Sequence, residues 1–147
     1  MPISASLLVE RFYFEIWNRA DETLARELLH PNFVFRGSLG RETQGPQGFI
    51  DYMRSIHAAL ANYTCVIDDL IATGDRAAAR MTFSGLHRGR LFGVEATGRE
   101  ISWSGGAFFT TDANQIVELW VVGDIDRVKR QLNAPGQAAL PSDQGTC

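Results

Sequence analysis

Ile116-Val117-Glu118-Leu119-Trp120-Val121-Val122 is the stretch on which the fold turns. Alternation places Val117, Leu119 and Val121 on one face and Ile116, Glu118, Trp120 and Val122 on the other, so both faces are largely apolar. A strand of that kind is covered on both sides. In a chain of 147 residues one cover is the domain's own core or pocket, and the other is expected to be a second copy of the subunit.

The same period-two pattern extends upstream. Cys65 to Ala72, a turn at Gly74-Asp75, and Ala77 to Ser84 read as one hairpin; Ile101 to Thr110, a turn around Asp112 to Asn114, and Gln115 to Gly123 read as another. The sheet is expected to be antiparallel and bent, with Gly85, Gly89, Gly93, Gly98, Gly105 and Gly106 admitting bulges and close approaches. Helices come before it. Leu8, Phe12 and Ile16, with Val9 and Tyr13 beside them, predict a first helix ending near Asn18-Arg19-Ala20. Asp21 is placed to cap a second helix, Glu22 to Leu29, which Pro31 stops. Phe33-Val34-Phe35 reads as a brief strand and Gly40 to Gly48 as a loop. Gly45-Pro46 opens a third helix carrying Phe49, Met53, Ile56 and Leu60 and ending near Asn62. Asp124 caps a final helix running to Leu132. Helices first and strands later make the chain α+β, with residues 1–133 as one domain and 134–147 as a flexible C-terminal tail.

Fourteen basic against seventeen acidic residues, a net charge of -3 and no basic run argue against nucleic acid or an anionic membrane as partner. A small organic molecule fits better. Leu7-Leu8-Val9 is interrupted by Glu10 and Arg11, too short an apolar run for a signal peptide or membrane span, so the expected location is the cytoplasm. Cys65 and Cys147 form neither a disulfide nor a metal-ligand pattern, and Cys65 reads as a small core residue. No metal or other cofactor is expected.

Taken together, a short helix ending in "HPNFVF", a "GPQGF" helix, the run "HRGRLFGVEATGREISW" and "IVELWV" resemble the SnoaL-like polyketide cyclases, with the cone-shaped fold of nuclear transport factor two. The resemblance spans roughly residues 8 to 133, most of the chain by the usual size of a domain. It implies a curved antiparallel sheet wrapped by three N-terminal helices around a deep apolar pocket, in a homodimer whose sheets pack back to back.

Ring closure by aldol addition needs a base to remove a proton flanked by carbonyls, a donor for the enolate oxygen, and walls that fold the substrate. A carboxylate in an apolar cavity suits the first task, because desolvation strengthens it as a base. The resemblance implies a histidine and an aspartate two residues apart on the last strand, where this chain has Leu119 and Val121. It implies polar groups on the preceding strand where Gly105 and Ala107 stand, and an asparagine on the early strand where Phe35 stands. Five polar positions are apolar or bare together. The expectation is therefore an apolar pocket that binds a hydrophobic, polyketide- or steroid-like molecule, bordered by Trp17, Phe35, Met53, His57, Ala107, Phe109, Leu119 and Val121. The alternative is an enzyme of cyclase ancestry, a lyase, isomerase or hydrolase, using another acid–base residue such as His57. Phe14 and Trp103 are further aromatic candidates; for these and for Phe109 core or interface packing is the preferred reading, whereas pocket and packing weigh evenly for Trp17. Glu118 is expected to face away from the pocket, and His87 to shape the loop from Gly89 to Gly98.

Overall fold

The computed structural model describes residues 3–38 and 41–135. Gly40 of the predicted loop, Cys147, and the predicted tail from residue 136 onward lie outside the described residues.

The first helix begins as α1 (Ala5–Arg11), its N-terminus capped by the Ser4 hydroxyl, which accepts from the Leu7 N–H. It then widens into a π-helical turn, Phe12–Trp17. A wider turn lets adjacent residues face the same way, so Phe12 with Tyr13 and Ile16 with Trp17 are all buried, while Phe14 points outward at 45% exposure. Asp21 caps α2 (Glu22–Leu28), accepting from the Leu24 N–H. Strand β1 (Leu29–Arg36) starts earlier than its apolar core suggests. Pro31 holds the residue before it in extended backbone, and the chain leaves the helix at once.

A short β2 (Glu42–Gln44) precedes α3 (Gly45–Ala59), which ends three residues before Asn62, itself left-handed at φ 55°. Two long hairpins follow: β3 (Leu60–Thr73) with β4 (Arg76–His87), and β5 (Glu100–Asp112) with β6 (Gln115–Gly123). Asp124 caps α4 (Ile125–Leu132), accepting from the Arg127 N–H.

The six strands form one curved, unclosed sheet in the order β2-β1-β6-β5-β4-β3. The expected antiparallel pairing holds except at β1, which lies parallel to β6 because it reaches the sheet after a helix rather than through a hairpin. Register aligns inward residues in rows: Phe35, Leu119, Phe109 and Ala77; then Val121, Ala107 and Ala79; then Trp103, Phe83 and Cys65. One expectation for β6 fails. Thr110 pairs with Glu118 but Thr111 pairs with Ile116, so Val117 is the extra residue of a bulge. Ile116 consequently turns into the core, fully buried, instead of facing out with Trp120, and Val117 is only half-buried.

The helices pack on the concave face. Asn18 fastens the first helix to β3 by mimicking a strand: its amide donates to the Cys65 carbonyl at 3.0 Å and accepts from the Cys65 N–H at 2.8 Å. Arg54 of α3 donates twice to Glu22 of α2, at 2.7 and 2.6 Å, and this hydrogen bonding holds the Glu22 carboxyl below its ordinary value. Arg99 grips the end of α4, donating to the carbonyls of Gln131, Leu132 and Ala134. No described helix is long and apolar enough to cross a membrane.

Candidate functional site

Between the helices and the sheet lies a cavity of about 30 Å³. That is room for roughly two water molecules. The π-helical turn supplies one wall, Tyr13 and Trp17, because its extra width turns both rings inward. Tyr63, Phe83 and Trp103 line the sheet side. Half-buried Ser38 after β1 stands at the rim, and Gly37, Leu91 in the loop after β4 and Val128 of α4, all buried, complete the lining.

The aromatic groups are in mutual contact. Trp17 meets Tyr63 edge-on at 5.1 Å, Tyr63 stacks parallel to Phe83 at 6.4 Å, and Phe83 meets Trp103 at 5.5 Å. Such pairs add about 0.5–1.5 kcal/mol each beyond the area they bury.

Of the eight residues expected at a pocket, Trp17, Phe35 and Val121 border this cavity. Met53, Ala107, Phe109 and Leu119 are buried but contribute to the surrounding core and do not border it. His57 stands apart from it too. Its Nε2 donates to the Trp17 carbonyl at 2.9 Å, which fixes the ring proton there, and its ring rests 5.9 Å from those of Trp17 and Tyr63. His87 clips the following loop shut: Nδ1 accepts from the Thr97 N–H, and the backbone groups of His87 bond to Arg99 and Gly98. Glu118 is exposed on the outer face beside Trp120.

The five positions at which the family resemblance leads one to expect polar groups, Phe35, Gly105, Ala107, Leu119 and Val121, are neighbours on the inward face. Phe35 is level with Leu119, Val121 with Ala107, and Gly105 with Gly123. Rings have taken the room that bare backbone leaves. A Cβ on Gly105 would come within 2.9 Å of the Phe83 ring, and one on Gly123 within 3.2 Å of Trp103 Nε1 and 2.7 Å of Ser38 Cβ.

Two polar atoms here lack a protein partner. Tyr13 Oη and Trp103 Nε1 are both buried with nothing to bond, each at a cost of about 1–3 kcal/mol. Burial, with the Cys65 thiol adding to it, pushes the Tyr13 phenol well above its ordinary value, and burial does the same to Tyr63. Both remain protonated at neutral pH, so each phenol keeps a proton it could donate. Burial likewise raises the Cys65 thiol, leaving it a packing residue rather than a nucleophile. Among the described residues, those bordering the cavity include no carboxylate and no imidazole. Among the described residues the arrangement offers apolar surface and hydrogen-bond donors, and no strong proton acceptor.

Sequence reasoning overlooked Tyr13, Tyr63 and Phe83 and assigned Trp103 to packing. A signal for the first was available, since Tyr13 and Trp17 stand four residues apart on one helix. Trp103 is harder to see, because an inward tryptophan looks the same whether or not its N–H finds a partner.

A curved sheet with helices on its concave side and a small aromatic cavity between them is an α+β cone. The chain belongs to the SnoaL-like polyketide cyclase family, whose model matches residues 7–132. Among solved structures, a candidate SnoaL-like polyketide cyclase from Jannaschia sp. CCS1 superimposes with a TM-score of 0.82 at 21% identity, covering 92% of this chain and 96% of that one. TsrD from Streptomyces laurentii gives 0.76 at 29% identity, covering 88% and 94%. IdmH, a candidate polyketide cyclase from Streptomyces antibioticus, gives 0.77 at 24%, covering 88% and 99%. No curated protein matches the sequence.

Proposed function

We propose that this family member binds a hydrophobic, polyketide- or steroid-like molecule in the aromatic cavity and does not itself carry out aldol ring closure. The observation that carries this reading is the composition of the wall among the described residues: aromatic and aliphatic side chains with donors, and no carboxylate or imidazole to take a proton from carbon. Binding surface without a base favours retention of a ligand over its conversion. The competing enzyme reading rests on His57, which is committed to the Trp17 carbonyl outside the cavity, and nothing in its surroundings favours that role.

A cavity of about 30 Å³ is far below the roughly 300 Å³ at which small-molecule pockets begin. Binding therefore requires the lining to move. Ser38, Leu91 and Val128 come from loops or from the last helix, the elements easiest to displace.

The outer sheet face supports a homodimer as the second half of the proposal. Trp120, Phe108 and Val122 are 44%, 48% and 46% exposed and lie in neighbouring register, with the Arg36 guanidinium 5.0 Å over the Trp120 ring. A working location in the cytoplasm is part of the same proposal.

Native mass spectrometry of protein purified without denaturation tests the ligand. A bound apolar compound released on unfolding is expected. Ligand-free protein whose amide resonances ignore a panel of polycyclic ketones and steroids would mean that the interior is simply filled. Light scattering tests the dimer: twice the chain mass is expected, falling to one chain in Trp120→Arg, and a monomeric parent would remove that part.

A further inference from the structure

We propose that Trp103 Nε1 and Tyr13 Oη form a donor pair that selects the ligand by an acceptor oxygen, so that the molecule taken is a ketone or quinone rather than a hydrocarbon. The inference rests on reading the cavity as a binding site and adds what that site recognises.

Three observations carry it. Both atoms are buried, both belong to residues bordering the cavity, and neither has a protein partner. Buried polar atoms are nearly always bonded. Among the described residues Thr43 Oγ1, His87 Nε2 and Arg99 Nε are exceptions elsewhere, whereas Tyr13 Oη and Trp103 Nε1 belong to residues bordering one cavity, where a ligand can supply acceptors. The indole N–H can only donate, and the buried phenol presents its proton in the same way, so the complement to both is an oxygen lone pair. Phe83 lies between them, its ring 6.4 Å from that of Tyr13 and 5.5 Å from that of Trp103, and provides the apolar surface on which the ligand's carbon skeleton rests.

Place matters as much as polarity. Trp103 Nε1 sits 3.2 Å from the position a Cβ would take on Gly123, a position that also neighbours Ser38. An acceptor bonded to the buried indole N–H therefore lies beside Gly123 and Ser38, where no side chain from the strand end intervenes.

The test compares 1-indanone with indane, two bicyclic molecules of one shape that differ by a carbonyl oxygen. In ¹⁵N-labelled protein the Trp103 indole resonance is identified by its loss in Trp103→Phe. Indanone is expected to move that resonance downfield and to bind roughly tenfold more tightly than indane, the discrimination expected when a buried donor is left unbonded by the wrong ligand. In Trp103→Phe the advantage should shrink while indane binding stays, which also shows that the variant is folded. Tyr13→Phe should reduce the advantage further.

Equal affinity for the two probes, with no selective movement of the Trp103 resonance, would overturn donor selection and leave the binding site standing. Failure of both probes to bind would overturn the site and the inference with it. If Ser38→Ala shifts the Trp103 resonance of ligand-free protein as strongly as indanone shifts the parent's, the indole already has a partner in Ser38, and the inference fails on that ground alone.

Discussion

Two aromatic clusters share the interior of this chain, and their composition differs. Phe12, Phe33, Phe49 and Phe109 form one, fully buried and free of heteroatoms, with edge-on contacts of 5.7 Å between Phe12 and Phe109 and 6.1 Å between Phe33 and Phe49. Tyr13, Trp17, Tyr63 and Trp103 form the other around Phe83, and each carries an N–H or O–H. The cavity lies only against the second. A cluster that serves stability alone has no use for a buried polar atom, because each one demands a partner. Two such atoms, Tyr13 Oη and Trp103 Nε1, stand unbonded in the second cluster and none in the first, which is the difference the proposed ligand would account for.

The comparison is most easily broken in the phenylalanine cluster. Phe109→Ala should cost about 3–5 kcal/mol, because the ring is fully buried between Phe12 and Tyr13 and the rigid β5 backbone cannot close the void. Urea denaturation measures it. A loss below about 1 kcal/mol would mean that this end of the core yields, and the distinction between the clusters would disappear.

Val121→Asp probes the boundary between them. The side chain borders the cavity and is buried among apolar groups, so a carboxylate there should cost about 3 kcal/mol at neutral pH. Desolvation raises its folded-state pKa above the unfolded value of about 3.9. The folded protein then holds a proton that the unfolded chain has released. The penalty is accordingly smallest below about pH 4, grows as the pH rises toward the folded pKa, and is constant above it. A difference from the parent that does not change with pH would place residue 121 in contact with water and reverse the inward assignment of β6.

Much of this arrangement is legible in the sequence, and the exceptions share a cause. Hairpin turns at Gly74-Asp75 and Ala113-Asn114, caps at Asp21 and Asp124, and the inward set Leu119 and Val121 all follow from local chemistry. What escapes depends on partners distant in the chain. Ile116 turns inward because of a bulge opposite Thr111, and β1 lies parallel to β6 because of where the helices deliver it. The width of the Phe12–Trp17 turn depends on packing, and four-residue spacing alone predicts an ordinary helix. Whether Trp103 or Tyr13 is bonded cannot be read from residue type at all, and those two atoms carry the recognition argument.

A third measurement sharpens the contrast at the cavity's lining. Arg99→Ala removes the donors held by three carbonyls at the end of α4, the helix whose Val128 borders the cavity. Global stability should fall by about 1–2 kcal/mol, in keeping with hydrogen bonds from a half-buried cation to a helix C-terminus. Hydrogen exchange should quicken in α4 before it quickens in β5. Uniform acceleration across both would mean that the helix is an integral part of the core and not a movable part of the lining.

The smallest effect separates the clusters most cleanly. Trp103→Phe removes a buried N–H that has no partner and keeps an aromatic ring against Phe83 and Tyr63. Losing the larger indole surface destabilises, while losing an unbonded donor stabilises, and the two terms are each about 1–3 kcal/mol with opposite sign. The net change in the free protein should therefore stay within about 1 kcal/mol, against the 3–5 kcal/mol expected for Phe109→Ala. A loss as large as that of Phe109→Ala would show that the indole N–H is bonded in solution, and the second cluster would then be ordinary core like the first.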